Sequence, residues 1–368
     1  MITPTRRHLL GAISGAIALP FLGPLAGQVA AESRPYWPTF GWRQVLPAEA
    51  GIDPAVFDEV TARLQAEAPS LSAMVVAYGG NLLFEYYADG FLSHQTTDIW
   101  SSTKSITGTA IGIAIEDGLL TLESRLGDLI PDLIPEDADA LVQDITVRNI
   151  LTMRGGWLWD GTVDYANTDN AANWAQRTLS LPMEAAPGEL FTYNSGGTHV
   201  LSAVLQTLTG QTLREFAQER LFGPMGVDIA DWRESPQGES AGGWGLAITP
   251  REMAKYGYLM LNGGQWDGEQ LVSADWISQA TQFQSDSSGT NDFGLGTGYG
   301  YHWWLADIAG FPAFFSLGYG ESCIYVVPGL DLVAVAATAD VPPFDYVGDQ
   351  SRPQPVIRET LVPSVAYS

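Results

Sequence analysis

Ser101 and Lys104 stand three residues apart at the head of an apolar run from Ile99 to Gly118. Residues at i and i+3 of a helix lie on one face, one turn apart. After Lys104 the only charged residues of the run are Glu116 and Asp117, and a helix apolar all round is a buried one. Gly108 and Gly112 cost helix propensity but let neighbours approach closely. The chain has two lysines, Lys104 and Lys255, against fifteen arginines. Arginine keeps its proton in a protein, whereas a buried lysine can lose it. The spacing therefore predicts Ser101 as a nucleophile at the positive end of a buried helix, with Lys104 as its base.

Proton transfer without histidine needs a further group, and Tyr193 supplies one. It lies in the stretch Phe191 to Gly197, after Pro187-Gly188, and leads into a helix expected from Thr198. A phenol beside an ammonium can have its pKa lowered enough to act as a base. A histidine-based triad does not fit. Past the leader the histidines are His94, His199 and His302. Ser322 falls between two expected strands with no histidine after it, so the Ser, Asp, His order of α/β-hydrolases cannot be built. Histidines with zinc-like spacing and a phosphate-binding glycine loop are absent. No metal and no cofactor are expected.

The elements that must hold these residues read as α+β. Asp53-Pro54 opens a helix that Pro69 ends. Ala73 to Tyr78 and Leu82 to Tyr87 form a hairpin around Gly79, Gly80 and Asn81. Helical patterns follow at 146–153, 170–180 and 196–209, with a glycine cap expected after Leu151. Thr249-Pro250 opens another helix, and a further one starts near Ser273. Strands are expected over Tyr299 to Leu305, Phe311 to Leu317, Ser322 to Val327 and Leu332 to Ala337, then a short helix near 354–366. The pattern predicts an antiparallel sheet built from both ends of the chain, with helices packed on it. Residues 32–118 and 246–368 make the sheet domain, and 119–245 an inserted, mainly helical subdomain.

Residues 1–31 read as a secretory signal. Arg6-Arg7 precedes the apolar run Gly11 to Leu25, and Val29-Ala30-Ala31 offers small residues for cleavage. The twin arginine predicts export of a folded, unanchored protein to the periplasm or medium. The net charge of −25 becomes about −27 once both arginines are removed. Such a surface repels nucleic acid and anionic membranes, which leaves a small-molecule substrate as the expected partner. The acid-rich, lysine-poor composition also suits salty water. Cys323 is the only cysteine, so no intrachain disulfide forms.

Ser101-x-x-Lys104, then Tyr193-x-Ser195, then the glycine-rich turn Ser316-Leu317-Gly318 resembles the serine β-lactamase and penicillin-binding protein superfamily. Gly243 to Glu252 and Tyr258 to Gly268 look like its class C-like branch, which includes esterases, D-stereospecific peptidases and 6-aminohexanoate-dimer hydrolases. The likeness runs from about residue 70 to 340. It implies a β-lactamase/transpeptidase-like fold and acyl transfer through a covalent acyl-enzyme on Ser101. It also implies that Ser195 orders Lys104 by a hydrogen bond, and that the backbone N–H groups of Ser101 and Tyr319 hold the oxyanion. Gly318 and Gly320 let that strand come close. Trp157, Trp159 and Tyr165 are expected to line the cleft from the helical side. Two positions depart from the pattern: Ser195 stands where class C β-lactamases have Asn, and Ser316 where a cation is usual. The missing cation points to neutral esters or linear amides over β-lactams. The alternatives are a β-lactamase, a D-aminopeptidase, or a penicillin-recognising module that acylates and stalls.

Overall fold

The structure, a computed structural model, describes residues 34–288, 298–339 and 352–368. The expected leader lies outside them. Helix α1 (Ala55–Glu67) starts behind Pro54, with Asp53 accepting from the Ala55 N–H at 3.0 Å. Strands β1 (Ala73–Tyr78) and β2 (Asn81–Tyr87) form the expected hairpin. After β3 (Thr97–Asp98), a 3₁₀ turn over Trp100–Ser102 feeds helix α2 (Thr103–Glu116).

The middle of the chain is helical: α3 (Leu126–Leu129), α4 (Val147–Leu151), α5 (Val163–Asp169), α6 (Trp174–Leu179), α7 (Ser195–Thr209) and α8 (Leu213–Ala217). Strands β4 (Asp231–Trp232) and β5 (Leu246–Ile248) follow. Helix α9 (Pro250–Leu261) begins with a full capping box from Thr249 and Glu252. The small hairpin β6 (Gln265–Trp266) and β7 (Glu269–Gln270) leads to α10 (Ala274–Ala280). The chain then supplies β8 (Ser285–Asp286), β9 (Gly298–Tyr299), β10 (Trp304–Ile308), β11 (Phe311–Leu317), β12 (Cys323–Val327) and β13 (Leu332–Ala337). Helical turns over Pro353–Ala366 end it.

Eight strands form one antiparallel sheet in the order β2-β1-β13-β12-β11-β10-β9-β8. The N-terminal hairpin thus joins the C-terminal strands. Alternation along β13 shows why the sheet is covered on both faces. Leu332, Ala334 and Ala336 join a core with α1 and the C-terminal turns, while Val333, Val335 and Ala337 join the core that holds α2, α7 and α9.

α2 is the central element. Its twelve residues Thr103 to Ala114 are buried, and its polar side chains find partners on the elements around it. Ser105 Oγ donates to His302 O at 2.6 Å, Thr107 Oγ1 to Gly242 O at 2.6 Å, and Thr109 Oγ1 meets the Tyr256 hydroxyl at 2.8 Å. A Cβ at Gly112 would stand 2.3 Å from the Trp276 ring, so only glycine admits that contact.

Two expectations fail locally. The strand predicted over Tyr299 to Leu305 is two strands, because His302 takes a left-handed backbone at φ 59°. Its buried ring meets Lys104 O at 3.0 Å and Ile150 O at 3.2 Å, which draws the chain off the sheet toward α2 and α4. The end of α4 is capped by no glycine; Met153 takes the left-handed position at φ 57°.

Candidate active site

The small sheet β3-β5-β4 sets the register of the site. Thr97 and Asp98 pair with Ile248 and Ala247, and Ile99 N–H donates to Leu246 O at 2.9 Å. Ser101 follows β3 directly, and Gly243 lies just ahead of β5, so one ladder fixes the two segments against each other. Trp100, between them and the serine, holds a left-handed φ of 50°, which is costly for a residue with a Cβ. Asp98 Oδ1 accepts the Trp100 N–H at 2.7 Å and pins that conformation. Burial pushes the Asp98 carboxyl up to about 6, against hydrogen bonds from the Trp100 and Gly245 backbones and the nearby charge of Arg233.

Lys104 is 1% exposed and sits under Ser101. Its Nζ donates to Ser101 Oγ at 2.8 Å and to Gly243 O at 2.8 Å. Burial alone holds this amine well below the usual lysine range. The Nζ also lies 4.8 Å from the centre of the Tyr193 ring. Tyr193 is held by the chain that follows the Met153 cap: Thr192 N–H donates to Met153 O at 2.8 Å, and Asn194 N–H to Met153 Sδ at 3.3 Å. Asn194 caps α7 by accepting from Gly197 N–H at 2.8 Å. Burial raises the Tyr193 phenol, opposed by its hydrogen bond with Ser101. The lowered phenol predicted from the sequence is therefore corrected. It needed a charged ammonium beside it, and the same burial that keeps the phenol protonated disfavours that ammonium.

Ser195 lines the cleft, but Lys104 Nζ bonds to Ser101 and Gly243, so the expected Ser195 to Lys104 hydrogen bond is replaced by a backbone carbonyl. Ser316 faces away from the cleft: it is 1% exposed and donates to Ser102 Oγ at 2.9 Å. Its neighbour Leu317 faces the cleft instead. Gly318 is where the strand must touch the nucleophile segment, since a Cβ there would stand 2.2 Å from Ile99 O. Tyr319 follows, its ring edge-on to Trp100 at 5.3 Å.

These residues line a cleft of about 410 Å³. Trp159, Tyr165 and Trp244 form its helical side; Tyr193 and Trp304, stacked at 5.6 Å, form another wall. Trp157, expected with Trp159, lines a separate small cavity with Met153 and Asn194 and is 2% exposed. Among the described residues, no charged side chain lines the cleft. Arg233 pairs with Asp169 at 2.7 Å, and Arg154 donates to Gly188 O. Ser322 accepts from Thr338 N–H at 3.1 Å, a structural role.

Sequence reasoning missed Gly243, Trp244 and Trp304. The Gly243-Trp244 pair was visible as a motif, but a carbonyl acceptor leaves no signature in residue type.

The family described as Beta-lactamase matches residues 57–352. The chain belongs to the beta-lactamase family. It is 25% identical over 320 residues to the 6-aminohexanoate-dimer hydrolase of Paenarthrobacter ureafaciens, covering 77% of this chain and 81% of that one. It is 25% identical over 314 residues to penicillin-binding protein 4 of Amycolatopsis lactamdurans, covering 73% and 80%. Among solved structures, EstCE1, a hydrolase with promiscuous acyltransferase activity, matches the fold with a TM-score of 0.66 at 17% identity, covering 84% of this chain and 100% of that chain. This β-lactamase-like chain is accordingly an enzyme, a serine hydrolase of the acyl-enzyme kind.

Proposed function

We propose that Ser101 is the nucleophile, Lys104 its general base and Tyr193 the proton donor to the leaving group. The observation that carries this is the 2.8 Å contact from a buried lysine amine to Ser101 Oγ. The neutral amine takes the hydroxyl proton as Oγ attacks the substrate carbonyl. The backbone N–H groups of Ser101 and Tyr319 hold the resulting oxyanion, each worth about 2.7–4 kcal/mol of barrier. The carbon to oxygen or carbon to nitrogen bond then breaks, and the leaving group takes the proton back through the Tyr193 phenol. Water repeats the cycle on the acyl-enzyme.

The substrate is an uncharged ester or linear amide. The lack of charged side chains among the described residues of the cleft supports this, as does Leu317 at the place beside the ring where a hydroxyl would help hold a β-lactam carboxylate. The protein acts outside the cytoplasm after twin-arginine export. No helix among the described residues is long and apolar enough to cross a membrane.

Intact-mass spectrometry after a fluorophosphonate probe tests the nucleophile. One label is expected on the wild type and none on Ser101→Ala; a label that survives Ser101→Ala and disappears in Ser322→Ala sinks the assignment. On the same preparation, kcat/KM for p-nitrophenyl butyrate should exceed that for a 6-aminohexanoate dimer and for nitrocefin. A preference for nitrocefin makes the protein a β-lactamase instead. For export, Arg6→Lys with Arg7→Lys should strand the precursor in the cytoplasm, and unchanged secretion removes that claim.

A further inference from the structure

The cleft has a more particular chemistry than neutrality. Among the described residues, thirteen line it; seven of these are aromatic, and none is an acid, lysine or arginine. An anionic or cationic group on a substrate would lose its water there and gain no counter-charge. A flat ring would gain faces and edges to stack on. On the helical side, Tyr165 meets Trp244 edge-on at 4.9 Å and 65°. Trp159 stands beside them over the start of α7, where a Cβ on Gly196 would come within 2.8 Å of its ring. A volume of about 410 Å³ holds a ring together with an acyl chain.

We propose that the substrate is an uncharged ester bearing an aryl group, and that the aryl group stacks on the wall of Trp159 and Tyr165, with the buried Trp244 packed against Tyr165. This rests on the acyl-enzyme reading and narrows its substrate. The chemistry needs no further reactant. Ser101 Oγ displaces the alcohol from the ester carbonyl, the alcohol leaves with the serine's proton, and water releases the aryl-bearing acid. Trp159 and Tyr165 select the substrate and take no part in bond breaking.

The test is acid release at constant pH from ethyl 4-phenylbutyrate, ethyl 4-cyclohexylbutyrate and monoethyl adipate, with fluorophosphonate labelling of Ser101 on the same preparation. The first two esters bury the same number of carbons and differ in aromaticity. The expected kcat/KM is about 5-fold higher for the phenyl than the cyclohexyl ester, and about 100-fold higher than for the anionic adipate. Trp159→Leu should bring the phenyl to cyclohexyl ratio to about one while Ser101 still labels. Tyr165→Leu reports the same ratio if the first variant does not fold. A wild type that labels at Ser101 but favours the cyclohexyl ester or the adipate overturns the substrate class and leaves the acyl-enzyme reading intact. A wild type that does not label at Ser101 overturns both.

Discussion

The two lysines of this chain are both buried, and they are used in opposite ways. Lys255, on α9, aims its Nζ at three carbonyls, Thr39 O and Met225 O at 3.0 Å and Gly226 O at 3.2 Å. All three ammonium protons have acceptors, and Glu252 opposes the desolvation that lowers its pKa. That lysine clips the N-terminal arm to the body. Lys104 has one carbonyl and one hydroxyl as partners, and desolvation pulls it well below the usual lysine range. The same side chain is a cationic staple where acceptors are complete and, in the mechanism we propose, a base where they are not. Burial alone does not distinguish them; the count and kind of acceptors does.

The sharpest way to break that contrast is to keep the charge and remove the base. Lys104→Arg should lower kcat by about 10²–10⁴-fold, the range for a lost general base, since a guanidinium cannot accept the Ser101 proton. Near-normal turnover in this variant would return Lys104 to the same class as Lys255.

The complementary change is Lys255→Met. It leaves three carbonyls without their donor and should cost about 2–4 kcal/mol of stability in urea titrations. Its kcat should match the wild type. A fall in kcat without loss of stability would mean the arm clip reaches the chemistry.

Stability against pH sharpens the comparison. The folded-state pKa of Lys104 is depressed, so between that value and the unfolded value near 10.5 the unfolded chain binds a proton that the folded chain does not. This group therefore makes stability rise with pH across that window, by at most about 1.4 kcal/mol per pH unit. Below the folded pKa its slope vanishes. Lys104→Met should flatten the curve measured in urea at pH 6, 7.5 and 9, relative to wild type. Lys255→Met should flatten it less, since Glu252 opposes its shift. Equal flattening in both variants would contradict the acceptor argument.

The legibility of this site followed from how local each relation is. Ser101 and Lys104 were readable because helix geometry alone puts i and i+3 together. The β1-β2 hairpin and β11, β12 and β13 were readable because turn residues and alternation are local too. Tyr193 needed a motif, since its loop is tied down by Met153, forty residues earlier. Trp157 and Trp159 diverge because an irregular loop has no fixed parity. Ser316, by contrast, could have been placed: on β11 it shares a face with the core residue Phe314, which turns Leu317 toward the cleft. The break at His302 had no local signal, because two carbonyls from α2 and α4 cause it.

What fixes the Lys104 amine is the smallest effect and the last test. If the Gly243 carbonyl does so, moving that carbonyl should matter more than removing the Ser195 hydroxyl. A Cβ on Gly243 would stand 2.6 Å from Ser195 O, backbone against side chain, so Gly243→Ala must displace the acceptor. A shift of a few tenths of an ångström in a catalytic donor should lower kcat by about tenfold or more, with KM little changed, because misplacement is felt in the transition state. Ser195→Ala leaves the bonds of Lys104 to Ser101 and Gly243 in place. It should lower kcat by no more than about threefold, less than the net worth of one ordinary hydrogen bond. Single-turnover acylation with p-nitrophenyl butyrate measures both. If Ser195→Ala proves the more damaging of the two, the hydroxyl orders the lysine during the reaction and the carbonyl serves only as a resting place.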